Sequence, residues 1–224
     1  MSDHENNYTD DDDSSGDGSH VMTLPRPPDY PLKHNWVMYD HTKSDSETYE
    51  ASTRKICEFK DVLHFWQIFN NYPSPSRLFN NGVHRPIMKC VSGNKEISSI
   101  SVFKKGILPK WEDPLNKYGA EFSKRKFGKK DSLKELDSNW IDILIACVGC
   151  VIDQSVTGIR VVDSSAPKRN EYTGNVEFKV LYRIELWFDN IAKKGVIEDQ
   201  FKNILNIEDP KAIYYKEHNI VTDP

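Results

Sequence analysis

A chain of 224 residues has room for one sizeable domain or two small ones, and 38% hydrophobic with 29% charged residues suits a globular fold carrying a polar appendage. The longest apolar run, Ile141 to Ile152, is interrupted by Asp142 and is too short to cross a bilayer, and four cysteines are too few for a disulfide framework. The net charge of -4 is uneven: the first 20 residues hold seven acids and no Lys or Arg, which leaves the remainder at +3, tolerant of an anionic partner but not the basic footprint of a general nucleic-acid binder.

Residues 1–28 begin as an acidic Asp/Ser/Gly-rich tail with too little apolar surface to offset the entropy of ordering. The expectation is a disordered segment that aids solubility or screens wrong anions, followed by one domain over 29–224. No basic stretch followed by an apolar core opens the chain, so no leader is expected, and the sequon Asn7-Tyr8-Thr9 carries no weight without secretion. The reading is a reduced, cytoplasmic protein with no membrane attachment.

Leu24 to Leu32 is proline-rich and reads as an extended lead-in. His34 to His41 reads as the first strand. From Phe59 to Phe69 the period changes: Phe59, Val62, Leu63, Trp66 and Phe69 recur at helical spacing, and Pro73 and Pro75 end that helix. Ile97 to Phe103 and Phe122 to Phe127 are short strand candidates. Ser132 is placed to cap a second helix carrying Leu133, Leu136, Trp140, Ile141, Leu144, Ile145 and Val148. Val176 to Phe188 alternates cleanly. Val176, Phe178, Val180, Tyr182, Ile184, Leu186 and Phe188 predict a face packed under helices; Glu177, Lys179, Leu181, Arg183, Glu185 and Trp187 predict a wet one. A third helix is expected within Ile191 to Leu205, burying Val196, Ile197, Phe201 and Leu205, with a last strand at Lys211 to Tyr215. Strands around isolated helices, without regular alternation, predict an α+β fold with a mostly antiparallel sheet.

Familiar catalytic signatures are absent. Gly128-Lys129-Lys130 lacks the rest of a phosphate loop, and no nucleophile elbow or HExxH occurs. Cys147-Val148-Gly149-Cys150 is a lone CxxC at the end of an apolar helix, where core packing is the expectation rather than a metal or redox site. The segment Val102 to Asp113 is more informative. Trp111 lies in a Pro-flanked loop beside Glu112. Such a pair is either an ordinary half-buried loop or a purine site, with the ring on the indole and the carboxylate accepting from guanine N1 and N2 hydrogens. A second aromatic on the other face would favour a cationic base.

The wider pattern resembles the eukaryotic cap-binding translation initiation factor 4E family, from about Pro31 to His218. The matching stretches are His34-Asn35-Trp36, Phe65-Trp66, Phe103 to Asp113 with Asn116 and Gly119, Trp140 with Gly149, and Arg183-Ile184-Glu185-Leu186-Trp187. The resemblance implies a curved antiparallel sheet of about eight strands, with three helices on its convex face and a slot for the 7-methylguanosine cap of mRNA on its concave face. By position, Trp111 would stack on one face of the base, Tyr49 on the other, and Glu112 would hold the guanine edge. Trp187 would lie near the methyl group and Arg183 near the phosphates.

Tyr49 stands where the family usually has Trp, and Glu121 where a basic residue is common. The usual phosphate-binding Arg before the long strand has no clear equivalent, an insertion at about 164–176 interrupts that region, and Lys168, Arg169 or Lys179 are the candidate substitutes. On the helical side, Pro31, Val62, Trp66, Trp140, Ile141, Asp142 and Ile145 would match a patch that receives a Tyr-x-x-x-x-Leu-apolar helix from a 4G-type scaffold initiation factor or a 4E-binding repressor. The implied protein is a monomeric, non-enzymatic translation initiation factor needing no cofactor or metal. A cap-binding repressor that does not engage the scaffold is the alternative.

Overall fold

The structure is a computed structural model; it describes residues 30–42, 48–79, 91–92, 95–127, 132–169, 171 and 174–218. The acidic tail lies outside the described residues. A curved antiparallel sheet dominates, with strands β1 (Pro31–Thr42), β2 (Thr53–Asp61), β4 (Lys95–Lys104), β5 (Ala120–Phe127), β6 (Val156–Asp163), β9 (Leu181–Phe188) and β10 (Ile213–Glu217). Their order across the sheet is β10-β5-β9-β6-β4-β1-β2, with the two-residue β3 (Val91–Ser92) pairing with β4. A separate hairpin joins β7 (Ala166–Arg169) to β8 (Val176–Lys179). Among the described residues three helices of ten or more residues, α2 (Val62–Asn71), α4 (Ser132–Val148) and α5 (Lys194–Ile204), accompany the short α1 (Tyr49–Ser52) and α3 (Pro75–Leu78). The expected α+β architecture is therefore the one observed.

Period-two alternation decides which side chains meet the helices. In β1, Trp36 and Met38 point into the main core, while Val37 and Tyr39 point to the opposite face. Tyr182, Ile184, Leu186 and Phe188 of β9 enter the same main core, where Leu136, Trp140 and Leu144 of α4 and Ile197 and Phe201 of α5 cover them. Each such side chain contributes roughly 1.5–3 kcal/mol on burial. Asp40, on the helical side of β1, is buried but paired with Arg54 of β2 at 2.6 Å, which offsets the desolvation of its carboxylate. The CxxC belongs to this packing. Cys147 is buried with its thiol pushed up by burial, and Cys150 follows the helix at φ 57°.

Several sequence expectations are corrected. Phe59 is not helical: it pairs with Trp36 in β2, and the helix begins after Asp61, whose carboxylate accepts the His64 N–H at 2.7 Å. β2 escaped notice because it is an edge strand with a largely polar exposed face. β6 is also unanticipated, since Gly158 and Arg160 interrupt its apolar pattern. Gly158 is required there, because a Cβ would lie 2.3 Å from the Phe103 ring. The single strand expected over Val176 to Phe188 is divided at Val180, with β8 turning away to pair with β7. Val196 is 51% exposed rather than buried. Most consequentially, the expected wet face of β9 is wet only at its start: Arg183 is partly exposed, whereas Glu185 and Trp187 are each 0% exposed.

Candidate functional site

Strand register lays out the face away from the helices in rows. One row runs Val37, Phe103, Gly158, Trp187, Glu121, Lys216 across β1, β4, β6, β9, β5 and β10. The next runs Tyr39, Ser101, Arg160, Glu185, Ser123, Tyr214, and a third runs His41, Ser99, Val162, Arg183, Arg125. A small second core of Val37, Tyr39, Phe103, Ile107 and Trp187 forms on this face. The Phe103 ring meets Trp187 edge-on at 5.4 Å.

The loop between β4 and β5 carries Trp111 and Glu112. Two buried polar residues shape it. Asp113 accepts the N–H groups of Leu108 at 2.9 Å and Leu115 at 3.0 Å. Asn116 donates to the carbonyls of Leu108 at 2.9 Å and Lys110 at 3.0 Å, while its own carbonyl accepts from Thr157 of β6 at 2.8 Å. The loop is thus pinned to the sheet and Trp111 is held 38% exposed. Glu112 is exposed, with no hydrogen bond or ion pair among the described residues.

Tyr49 comes to this loop from α1. Its hydroxyl donates to the Pro109 carbonyl, its ring stacks on His41 at 4.6 Å, and the neighbouring Glu50 pairs with Lys110 at 2.9 Å. Two tethers therefore bind α1 to the segment just before Trp111. At the opposite edge, Lys216 sets its ammonium 3.5 Å from the Trp111 ring centre. His218 lies between the two tryptophans, its ring 4.5 Å from Trp187 and 6.2 Å from Trp111. It is anchored by the Asn116 backbone carbonyl at 2.8 Å and approaches Glu121 at 3.5 Å.

Charge on the face centres on Glu185. One of its carboxylate oxygens accepts Arg160 Nε at 2.7 Å and Trp187 Nε1 at 3.0 Å; the other pairs with Arg183. Burial would raise the Glu185 carboxyl, but the two guanidiniums outweigh it and hold it below the usual range. Burial likewise opposes the Arg160 charge, and Glu185 overcomes that, so Arg160 stays protonated. Two cations on one carboxylate leave the group with a net positive charge. Arg160 also lies over the Trp187 ring at 4.9 Å.

Tyr49, Trp111, Glu112, Arg183 and Trp187 thus all belong to this face or the loop beside it. Trp187 is buried beneath Phe103, Arg160 and His218 rather than open to a ligand. Lys168 and Lys179 lie on the β7–β8 hairpin, outside these rows, at the end of β9 nearer Arg183. Arg169 on the same hairpin donates to the Gly174 carbonyl at 3.3 Å. The sequence reading missed Arg160, His41, Lys216 and His218. Arg160 lay in a pattern gap, His41 ended the expected first strand without a partner to mark it, and the last two become visible only when β10 is known to be an edge strand beside β5.

On the helical side Trp66, Leu63 and Ile145 are exposed, Val62 and Ile141 are half-buried, and Pro31 is exposed. Asp142 is exposed and accepts from Ser138 at 3.3 Å. Trp140 departs from expectation: at 3% exposure it is a core residue. It helps line a cavity of about 100 Å³ with Met38, Phe65, Phe69 and Leu144 beneath the patch.

The family model described as Eukaryotic initiation factor 4E matches residues 31–223. The chain is 31% identical over 196 residues to eukaryotic translation initiation factor 4E-2 of Schizosaccharomyces pombe, spanning 84% of this chain and 67% of that protein. It is 27% identical over 199 residues to eukaryotic translation initiation factor 4E of Candida glabrata, spanning 87% of this chain and 80% of that one. Its fold is similar to Ascaris suum eIF4E-3 in complex with m7G cap, with a TM-score of 0.63 at 22% identity over 88% of this chain and 96% of that one. It is also similar to C. elegans eIF4E-3 in complex with the 4E-binding protein Mextli, with a TM-score of 0.64 at 21% identity over 88% and 98% of the two chains. With nearly all of its described residues inside the matched span, the chain belongs to the eukaryotic initiation factor 4E family.

Proposed function

We propose that the concave face binds the 7-methylguanosine cap of mRNA and that the helical face receives a partner helix, so that the protein recruits a 4G-type scaffold factor to initiate translation. Proteins of this family are cap-binding factors and not enzymes. The observation that carries the reading is the exposed Trp111 indole beside the uncommitted carboxylate of Glu112, both on a loop fixed by Asp113 and Asn116. A methylated guanine is a cation; stacking it on an indole contributes about 0.5–2 kcal/mol over a neutral base. Glu112 accepts from the N1 and N2 hydrogens, which only the guanine edge presents in that arrangement.

Tyr49 faces the same loop as the second aromatic, with a smaller ring than indole. The triphosphate runs toward Arg183, beside Arg160, with Lys168 and Lys179 of the hairpin as further cations. This contribution falls with salt. The solved relatives carry m7G cap and m2,2,7G cap in Ascaris suum eIF4E-3, and Mextli in the C. elegans protein. Exposure of Trp66 and Ile145 favours a partner-competent helical face over a repressor that lacks one. The protein acts as a monomer in the cytoplasm.

Retention on a 7-methyl-GTP resin tests the slot. Trp111→Ala and Glu112→Ala are expected to abolish retention with the fold intact. Retention of both variants at the wild-type level would remove the slot from this loop.

A further inference from the structure

Beyond the cap slot, the same face carries a stacked pair that the cap itself does not need. Arg125 of β5 lays its guanidinium over the ring of Tyr214 of β10, 4.1 Å from the ring centre. Both side chains are exposed, and Arg125 has no hydrogen bond or ion pair among the described residues. Arg125 also pairs in register with Arg183 across β5 and β9. Like charges placed directly opposite one another on a sheet face are destabilising unless an anion compensates them. Glu185 cannot serve both sides, because Arg160 and Arg183 already engage its carboxylate. Glu121, on the same face, is buried against His218 one row beyond Tyr214 and forms no ion pair with Arg125.

The arrangement therefore sets Arg125, a guanidinium with no ion pair among the described residues, opposite Arg183 and over an exposed aromatic ring. These are the elements that hold a nucleotide of single-stranded RNA: phosphate between cations, base on an aromatic ring or a guanidinium plane. We propose that Arg125 and Tyr214 form a second stacking step for RNA, on which the base of the first nucleotide after the cap triphosphate rests while its phosphate lies between Arg125 and Arg183. The step rests on the cap-slot reading, since Arg183 marks where the triphosphate leaves the slot. Stacking on Arg and Tyr tolerates any base, so the step adds affinity for capped RNA over the free cap nucleotide without a sequence preference.

The test compares 7-methyl-GTP with a capped pentaribonucleotide, by fluorescence titration of wild-type protein, Arg125→Ala, Tyr214→Ala and Tyr214→Phe. Wild type is expected to bind the capped oligonucleotide on the order of tenfold more tightly than 7-methyl-GTP, the size of one base stack. Tyr214→Ala is expected to lose most of that advantage while keeping its affinity for 7-methyl-GTP within about twofold, a small change for a side chain outside the slot, whereas Arg125→Ala is expected to lose the advantage and also to weaken 7-methyl-GTP through the phosphate it shares with Arg183. Tyr214→Phe, which keeps the ring, is expected to retain the advantage. The step is overturned if wild type shows no advantage, or if both alanine variants keep it in full. A wild-type protein that binds 7-methyl-GTP no better than GTP would fail at the slot itself, a separate result from either of these.

Discussion

Lys216 holds its ammonium 3.5 Å from the centre of the Trp111 ring, so the indole expected to receive a cationic base already carries a cation from its own chain. The contact forms because β10 pairs with β5, putting Lys216 in register with Glu121 and in the same row as Trp187. A base arriving on that face of Trp111 must displace it. An exposed contact of this kind stabilises by about 0.5–1 kcal/mol.

Removing the competitor has a measurable consequence. Lys216→Met is expected to tighten 7-methyl-GTP binding by roughly two- to fivefold while preserving discrimination over GTP. Trp fluorescence titration of both nucleotides measures it. Weaker binding by the variant would mean that Lys216 assists the ligand instead of competing with it.

Glu185 gives a prediction about the fold itself. It is fully buried with Arg160 and Arg183 on its two oxygens. Glu185→Gln leaves those guanidiniums uncompensated in a low-dielectric site and is expected to cost about 3–5 kcal/mol. The double variant Arg160→Met, Glu185→Gln should lose less than the two single losses combined, because each single change strands the other partner. Since the folded-state carboxyl is held below its ordinary value of 4.5, its stabilisation is present above that pH and is lost as pH falls through the folded-state value. Urea denaturation at a series of pH values should show a flatter acid limb for Glu185→Gln. An unchanged limb would mean that another carboxylate governs it.

His41 links the same charge cluster to Tyr49. Its ring stacks on Tyr49, its Nδ1 lies 2.9 Å from Thr53 Oγ1, and burial followed by Arg160 pushes its pKa below 6.5. A histidine depressed in the fold contributes stability above 6.5 that is lost as pH falls through its folded-state value. Protonation places a second cation beside Arg160 and under the Tyr49 ring, so 7-methyl-GTP affinity should decline over the same interval. Arg160→Met is expected to raise the His41 midpoint, read by NMR titration of the imidazole. A midpoint that stays put would assign the depression to burial alone.

How much of this could be read from residues alone differs sharply by element. β9 was legible because its alternation runs uninterrupted from Leu181 to Phe188, and α4 because its apolar stripe is long. β6 was not, since glycine and arginine occupy its concave positions for reasons that exist only once Phe103 and Glu185 are its neighbours. The Trp111–Glu112 pair was visible as adjacent residues in a loop. The burial of Trp187 was not, because Phe103, Arg160 and His218 reach it from distant parts of the chain. Alternation assigns a side chain to a face; it does not say whether that face is wet. Tyr49 was placed by resemblance, and its tether to Pro109 joins segments sixty positions apart.

The two tryptophans of the helical side separate recognition from stability. Trp66 is 38% exposed and meets Phe65 and Phe69 edge-on, whereas Trp140 is 3% exposed inside the main core. Trp66→Ala is expected to remove binding of a Tyr-x-x-x-x-Leu-apolar peptide and to leave 7-methyl-GTP retention unchanged, because the proposed cap slot lies on the other face of the sheet. Its stability cost should be within about 1 kcal/mol, as for other surface changes. Trp140→Ala opens space beside an existing cavity and is expected to cost about 3–5 kcal/mol. Denaturation curves, a peptide pull-down and resin retention on the same preparations resolve the pair. If Trp66→Ala loses peptide and nucleotide together while remaining folded, the two faces are coupled through the sheet and do not act separately.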